Sequence, residues 1–166
     1  LDVVSMLATF PRPVGFISKK ELKKVPILSN WMTVLHCIFL DRTSPKQSFL
    51  AIQDGIENVK NGHSMLIFPE GTRSRGYPVK EFKKGSFKLA FQAECPIIPI
   101  STDGSYHVIE ETGKLQKGTN IILTIHKSVP TKGLTREQKL ELIDNVRQTI
   151  INAIPSEHLK TENLAK

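Results

Sequence analysis

The 166-residue sequence has two cysteines, one tryptophan and no long apolar run. Cys37 and Cys95 are isolated, so the sequence excludes a disulfide scaffold and a Cys-x-x-Cys metal or redox site. Both lie beside apolar residues, and we expect them to be buried, reduced thiols. No stretch approaches the ~20 apolar residues that a membrane-spanning helix needs, and no signal peptide is recognisable. The sequence starts at Leu1 without a methionine, so we expect it to be cut from a longer chain.

Positive charge is concentrated in two parts of the sequence. The net charge is +7; residues 12–24 carry +4 and residues 73–88 carry +5, which leaves −2 for the rest. A single basic run is commonly a solvated helix face. Two such runs on an otherwise slightly acidic chain predict an anion site, provided that the fold brings them together.

Alternating apolar runs and amphipathic stretches predict an α/β domain. Five runs predict strands: Val14–Ser18, Cys37–Leu40, Met65–Phe68, Pro96–Ile100 and Asn120–Lys127. The prolines of the fourth run indicate that it is not hydrogen-bonded throughout. We expect a mixed, largely parallel central sheet flanked by helices. In such sheets functional residues gather in the loops beyond the carboxyl ends of the strands.

Capping signals predict two of the helices. Ser44 followed by Pro45 is a favourable helix start, and Thr135 with Gln138 forms a capping box. The apolar stripe of the first helix is predicted as Phe49, Ile52, Ile56 and Val59, and that of the second as Leu140, Ile143, Val146, Ile150 and Ile154. A lysine-rich helical turn ending near Pro26 and a helix over residues 85–94 are also expected.

The segment Phe68–Arg75 has the composition of a functional loop. After a predicted strand it supplies a carboxylate (Glu70), a glycine (Gly71), a hydroxyl (Thr72) and a guanidinium (Arg73). Glycine permits a tight turn or close approach to a ligand, and arginine offers a two-pronged donor set that suits phosphate. A surface turn with a Glu–Arg ion pair is the alternative interpretation.

These residues resemble the third motif of the 1-acylglycerol-3-phosphate (lysophosphatidic acid) acyltransferase family, within the glycerolipid acyltransferases. The resemblance continues in the order that the family shows. Its other matching segments are Gly15–Leu22 with Pro26 and Ile38–Arg42, then Phe82–Gly85, then Cys95–Pro99. The match covers roughly residues 1–105. It implies an acyltransferase domain over residues 1–155 that lacks its N-terminal part, followed by a polar tail at 156–166.

The first motif of that family, His-x4-Asp, is incomplete in this sequence. Asp2 fits its aspartate, so the histidine is expected shortly before Leu1, and the chain as given is expected to be inactive. His36 and Asp41 have the same spacing. The residues between them resemble a strand, on which positions five apart point to opposite faces, so we expect no pair there. The other histidines are expected to lie on the surface or in loops: His63, His107, His126 and His158.

The resemblance implies transfer of a fatty acyl group from acyl-CoA or acyl-acyl carrier protein to the hydroxyl of lysophosphatidic acid, which gives phosphatidic acid. A histidine base would deprotonate the hydroxyl, and Asp2 would orient that histidine. Arg73, Arg42 and Lys19 would hold the phosphate. Glu70 would position the glycerol, with Gly71 and Thr72 beside it. Pro96 and Pro99 belong to the fourth motif, with an acyl-binding or structural role. No metal or bound cofactor is implied.

The resemblance also implies an enzyme on the cytoplasmic side of the cell membrane, peripheral or anchored by a segment outside this chain, with the anionic membrane surface as a partner. Glycerol-3-phosphate or another lysophospholipid is the alternative acceptor. A basic module that binds nucleic acid or anionic membrane is the alternative of another class. The basic windows have few aromatic residues for base stacking, so we expect no nucleic-acid partner.

Overall fold

The computed structural model describes residues 6, 9–10, 12–41, 44–72, 78–105, 108, 116, 118 and 120–155. Over these residues there are five strands: β1 (Val14–Lys19), β2 (Ile38–Leu40), β3 (Ser64–Leu66), β4 (Ile100–Asp103) and β5 (Ile122–Ile125). The α-helices whose full extent lies within the described residues are α1 (Leu28–Val34), α2 (Pro45–Lys60), α3 (Lys88–Ala93) and α4 (Arg136–Asn152). Two 3-10 helices, Lys20–Lys24 and Lys84–Phe87, follow β1 and precede α3.

The strands form two sheets. β1 lies between β2 and β3 and is parallel to both; Ile17 pairs with Ile38, and Val14 pairs with Ser64. β4 and β5 form a separate antiparallel pair. The expected α/β class with a largely parallel central sheet is therefore confirmed, and the carboxyl ends of β1, β2 and β3 share one edge.

The fourth predicted strand, Pro96–Ile100, is wrong in its bounds. Ile97 makes an isolated bridge to Val129, and the regular strand begins only at Ile100. Proline has no N–H to donate, so a ladder cannot run through positions 96 and 99. The chain pairs regularly as soon as the second proline is passed.

Both predicted helix caps are present. The Ser44 hydroxyl accepts from the Gln47 N–H at the start of α2, and Thr135 and Gln138 exchange both bonds of a capping box at the start of α4. The predicted stripes are right in their centres and wrong at their first members. Phe49 and Leu140 are exposed, whereas Ala51 and Leu142, two residues further along each helix, are buried, so the packed face is rotated away from the predicted first members.

A core cluster joins α4 to the segment around α3. Phe87, Leu142, Ile143 and Val146 are buried together, and partly buried apolar side chains surround them: Phe82, Phe91, Ile97, Val129, Leu134 and Ile150. Cys37 and Cys95 are free but only half-buried, so full burial was wrong, and desolvation raises the pKa of each thiol. Among the helices that the structure describes, none is both long enough and apolar enough to cross a membrane.

Helix α1 was missed in the sequence. It follows a tight turn in which the Leu28 N–H donates to the Pro26 carbonyl at 2.6 Å, with Ile27 at φ 65°. The two residues that follow the helix pack on β1: a Cβ at Gly15 would lie 2.7 Å from the carbonyl oxygens of Leu35 and His36. Glycine at position 15 is therefore required by close backbone approach.

Candidate active site

The candidate site lies at the carboxyl edge of the parallel sheet. β1 ends at Lys19, β2 ends one residue before Asp41, and β3 leads through one further residue, Ile67, into Phe68–Thr72. Segments that are far apart in sequence therefore leave the sheet on one side, as expected for the functional edge of an α/β domain. Both basic windows contribute to this edge, the first through Lys19 and the second through Lys83, whose side chain lies against Gly71.

The Phe68–Gly71 turn is closed by a backbone hydrogen bond. The Gly71 N–H donates to the Phe68 carbonyl at 3.1 Å, and Gly71 has φ 69°, a conformation that favours glycine. Glu70 is half-buried, and its Oε2 atom is buried. Thr72 is exposed. The turn thus holds a carboxylate in a partly desolvated place and leaves a hydroxyl beside it in solvent.

Lys83 packs directly on this turn, which sequence reasoning did not predict. Its N–H donates to the Pro69 carbonyl at 2.9 Å. Its side chain covers Gly71, since a Cβ there would lie 2.8 Å from Cδ and 3.0 Å from Nζ. The Ser86 hydroxyl also donates to the Pro69 carbonyl, at 3.2 Å. In the sequence, Lys83 was only one of several basic residues in the second window, and no local signal singled it out.

Arg147 of α4 binds the chain a few residues before Lys83. Its guanidinium donates to the Val79 carbonyl at 2.6 Å and to the Lys80 carbonyl at 2.9 Å. These contacts span 67 and 68 residues in sequence, so periodicity could not have revealed them. They hold Val79 and Lys80, the residues that lead to Lys83, against α4.

An ion pair joins the ends of β1 and β2. Lys20 Nζ lies 2.5 Å from Asp41 Oδ2, and this hydrogen bond and the charge of Asp41 raise the pKa of Lys20. Lys19 is exposed next to it. Ser18 is buried, and its hydroxyl has no hydrogen-bond partner among the described residues. Ser18 could not be recognised as a site residue in the sequence, because a serine in a short apolar run carries no distinctive pattern.

The fourth-motif prolines occupy a structural connection. Pro96 is exposed, whereas Pro99 is buried, and its carbonyl accepts from the His126 N–H at 3.0 Å. The Thr131 hydroxyl donates to the carbonyls of Ala90 and Cys95 at 3.3 and 2.9 Å. The Thr131 bonds attach the end of α3 to the chain between β5 and α4, and the bond to Pro99 attaches the segment before β4 to the end of β5.

Asp2, Arg42 and Arg73, three of the predicted site residues, lie outside the described residues, as do His107, His158 and the tail at 156–166. Their roles stay predictions. Among the residues that the structure does describe, no group of three or more His, Cys, Asp or Glu side chains could hold a metal ion.

His36 and Asp41 are at opposite ends of β2. The His36 ring stacks on His63, with 3.6 Å between centroids, and the pair precedes the amino ends of β2 and β3. An open pocket of about 360 Å³ lies beside this strand, lined by Lys23, Thr33, His36, Cys37, Ile38, Phe39, Asp54 and Asn58. No residue of the Phe68–Thr72 turn lines it. Two other histidines are half-buried in the loops before β3 and after β5. His63 is the one that stacks on His36, and the Nε2 atom of His126 lies 2.8 Å from the Ser101 hydroxyl.

Comparison with known proteins gives a consistent result. The family model described as Acyltransferase matches residues 1–103. The 1-acyl-sn-glycerol-3-phosphate acyltransferase of Saccharomyces cerevisiae is 32% identical over 158 residues, which is 93% of this chain and 52% of that protein. The protein of the same name from Borreliella burgdorferi is 27% identical over 154 residues, covering 93% of this chain and 62% of that protein.

A solved structure shares the fold. The crystal structure of the 1-acyl-sn-glycerophosphate (LPA) acyltransferase PlsC from Thermotoga maritima matches with a TM-score of 0.71 and 33% identity, over 98% of this chain and 63% of that one. The chain therefore spans between about half and two thirds of the length of these relatives. The family model matches most of the chain, and the strands that lead into the described parts of the second and third motifs lie side by side in one parallel sheet. The chain belongs to the acyltransferase family.

Proposed function

We propose that the protein moves a fatty acyl group from a thioester, on coenzyme A or acyl carrier protein, to the free hydroxyl of 1-acylglycerol-3-phosphate. The observation that carries the proposal is the Phe68–Thr72 turn at the carboxyl edge of the parallel sheet, with Glu70 half-buried and Lys83 against Gly71. Membership of the acyltransferase family supports the reaction class. The names of the relatives support the acceptor.

The chemistry needs a base rather than a protein nucleophile. A neutral hydroxyl is a weak nucleophile, so a histidine must accept its proton as the oxygen attacks the thioester carbonyl. The tetrahedral intermediate then collapses, the C–S bond breaks, and the thiol leaves with a proton returned by the imidazolium. In this proposal Asp2 is the aspartate of the His-x4-Asp motif. It accepts a hydrogen bond from the other ring nitrogen and so orients the base.

The acceptor phosphate would be bound by the basic residues of the same edge. Arg73 and Arg42 would supply planar donor sets, and exposed Lys19 a further positive charge. The Lys83 ammonium, beside Gly71, adds a cation close to the turn. Glu70 would accept from a glycerol hydroxyl, with Thr72 next to it. Residues 1–155 would act as one domain, at the cytoplasmic face of the membrane.

The phosphate role can be tested in the full-length protein by steady-state kinetics. Arg73→Ala should raise the KM for 1-acylglycerol-3-phosphate by about tenfold or more, because a charge-assisted hydrogen bond is lost, and change the KM for acyl-CoA by less than about twofold. Arg136→Ala, an exposed arginine at the start of α4, is the matched control and should change neither constant.

Equal effects of Arg73→Ala on donor and acceptor would contradict the phosphate role. The same assay, run with glycerol-3-phosphate and with lysophosphatidylcholine, identifies the acceptor. Faster transfer to either of them than to 1-acylglycerol-3-phosphate would replace the proposed acceptor and keep the reaction.

A further inference from the structure

Helix α1 and the turn before it present apolar side chains to solvent. Ile27, Trp31 and Val34 are 75%, 71% and 76% exposed, and their spacing of four and three residues places them on one helical face. We call the following exposed residues the apolar patch: Val25, Ile27, Leu28, Trp31 and Val34. On the opposite side of α1, Met32 is almost fully buried. The helix is therefore fixed to the domain by one side and leaves a contiguous apolar surface uncovered, a feature that marks an interaction site.

Lysines adjoin this patch. The 3-10 helix Lys20–Lys24 leads directly into the turn before α1, and it contains Lys20, Lys23 and Lys24, which we call the lysine cluster. Glu21 is the only acidic residue between positions 19 and 40. All three lysines are exposed, and Lys20 is also paired with Asp41. Apolar side chains with a tryptophan, edged by lysines, have the chemistry of a segment that lies in the headgroup region of an anionic bilayer.

We propose that the apolar patch and the lysine cluster form a docking surface for an anionic lipid bilayer. The apolar side chains enter the boundary between headgroups and acyl chains, and the lysines contact lipid phosphates. The 3-10 helix begins immediately after Lys19, so docking would bring the candidate site close to the membrane. The inference rests on the proposed function only in that this membrane would hold the lysophospholipid acceptor.

Charge and size favour a bilayer over a second copy of the chain. Two copies that met through this surface would bring two lysine clusters together, and like charges across an interface oppose association. A stable protein interface uses roughly 20–30 residues a side, and this patch has five exposed apolar ones. A bilayer needs no such area, because each apolar side chain that enters it contributes independently.

The single tryptophan of the chain makes this surface directly observable. In the full-length protein, with any tryptophan outside residues 1–166 replaced by phenylalanine, Trp31 should be accessible to iodide in buffer. Added vesicles of phosphatidylcholine with about one third phosphatidylglycerol should shift its emission to shorter wavelength and protect it from iodide several-fold. Pure phosphatidylcholine should give a weaker response, and added salt should weaken the response to anionic vesicles.

Two variants and a control test the two parts of the surface. Val34→Ser should weaken vesicle binding by about tenfold, since one buried apolar side chain is lost. The double variant Lys23→Ala with Lys24→Ala should weaken binding to anionic vesicles by about tenfold or more and leave binding to neutral vesicles unchanged. Ile122→Ser, at an equally apolar position of β5 that is 57% exposed, should bind as the unchanged protein does.

Two outcomes would overturn the proposal. In one, Trp31 is already protected from iodide without vesicles, which means that another segment or a second copy covers the patch. In the other, the protein binds vesicles while Trp31 stays accessible, which places the membrane contact elsewhere. Neither result depends on acyl transfer. If the unchanged protein does not bind anionic vesicles but still transfers acyl groups to a short-chain, water-soluble acceptor, this inference is removed and the proposed function is kept. If it binds vesicles through Trp31 but transfers no acyl group, the proposed function is removed and the docking surface is kept.

Discussion

Helices α1 and α4 both carry apolar residues on one face. That face is buried in α4 and exposed to solvent in α1. In α4 the apolar side chains of Ile143 and Val146 are buried against Phe87 in the core cluster. In α1 those of Trp31 and Val34 face solvent, and the helix is attached through Met32 and through its close approach to Gly15. Amphipathic spacing thus identifies an apolar face but not what the face packs against. The comparison separates residues that stabilise the domain from residues that are available to a partner.

The largest expected effect is on the inward-facing helix. Ile143→Ala should lower the free energy of unfolding by about 3 kcal/mol, because a buried side chain is removed and a cavity remains. Val34→Ala on the outward face should change it by less than about 0.5 kcal/mol. Urea titration of both variants measures the difference. Similar losses for the two would show that the face of α1 is packed against something in the folded protein.

The attachment of α1 to β1 can be broken from the strand side. Gly15→Ala should lower the free energy of unfolding by about 2 kcal/mol, because its methyl group would overlap the carbonyl oxygens of Leu35 and His36. The matched control is Gly85→Ala, where nothing lies within 4 Å of the added methyl group. Equal stability of the two variants in thermal unfolding would mean that the end of α1 moves away from β1 without cost.

The smallest effects concern the starts of the two helices. Thr135→Ala should cost about 1 kcal/mol, because the capping box of α4 is lost. Ile27→Gly before α1 should instead stabilise by about 1 kcal/mol, since a β-branched residue at positive φ is strained. The glycine variant should also bind anionic vesicles more weakly. Gains in both stability and binding would contradict a role for Ile27 in docking.

The sequence predicted those parts of the fold that depend on local chemistry. Ser44, Pro45 and the Thr135–Gln138 pair mark helix starts through contacts within four residues, so their pattern is sufficient. Helix α1 lacks such a mark: Ile27 offers no side-chain cap, and the apolar residues that follow belong to a face exposed to solvent. Nothing in periodicity distinguishes that face from a buried one.

The sequence predicted those site residues that belong to one contiguous motif. It did not predict the residues that the fold brings to that motif from elsewhere in the chain. Glu70 and Gly71 lie in one recognisable turn, and the family resemblance selected them. Lys83 and Arg147 reach the same loop from other elements, through contacts with Gly71 and with the carbonyl of Val79. Such contacts depend on tertiary packing, so no spacing rule within the motif contains them.

The strand order β2-β1-β3 affects how the chain folds while it is synthesised. Of the three parallel strands, β1 is the first made and also the middle one, so both of its edges wait for partners. Unpaired strand edges are templates for pairing with other chains. At about 5–20 residues per second, the ribosome supplies Ile38–Leu40 and then Ser64–Leu66 within several seconds of completing β1. The sheet can therefore close roughly 4–14 s before α4 begins to be made, and during the interval between β1 and β3 at least one edge of β1 is open to pairing with another chain.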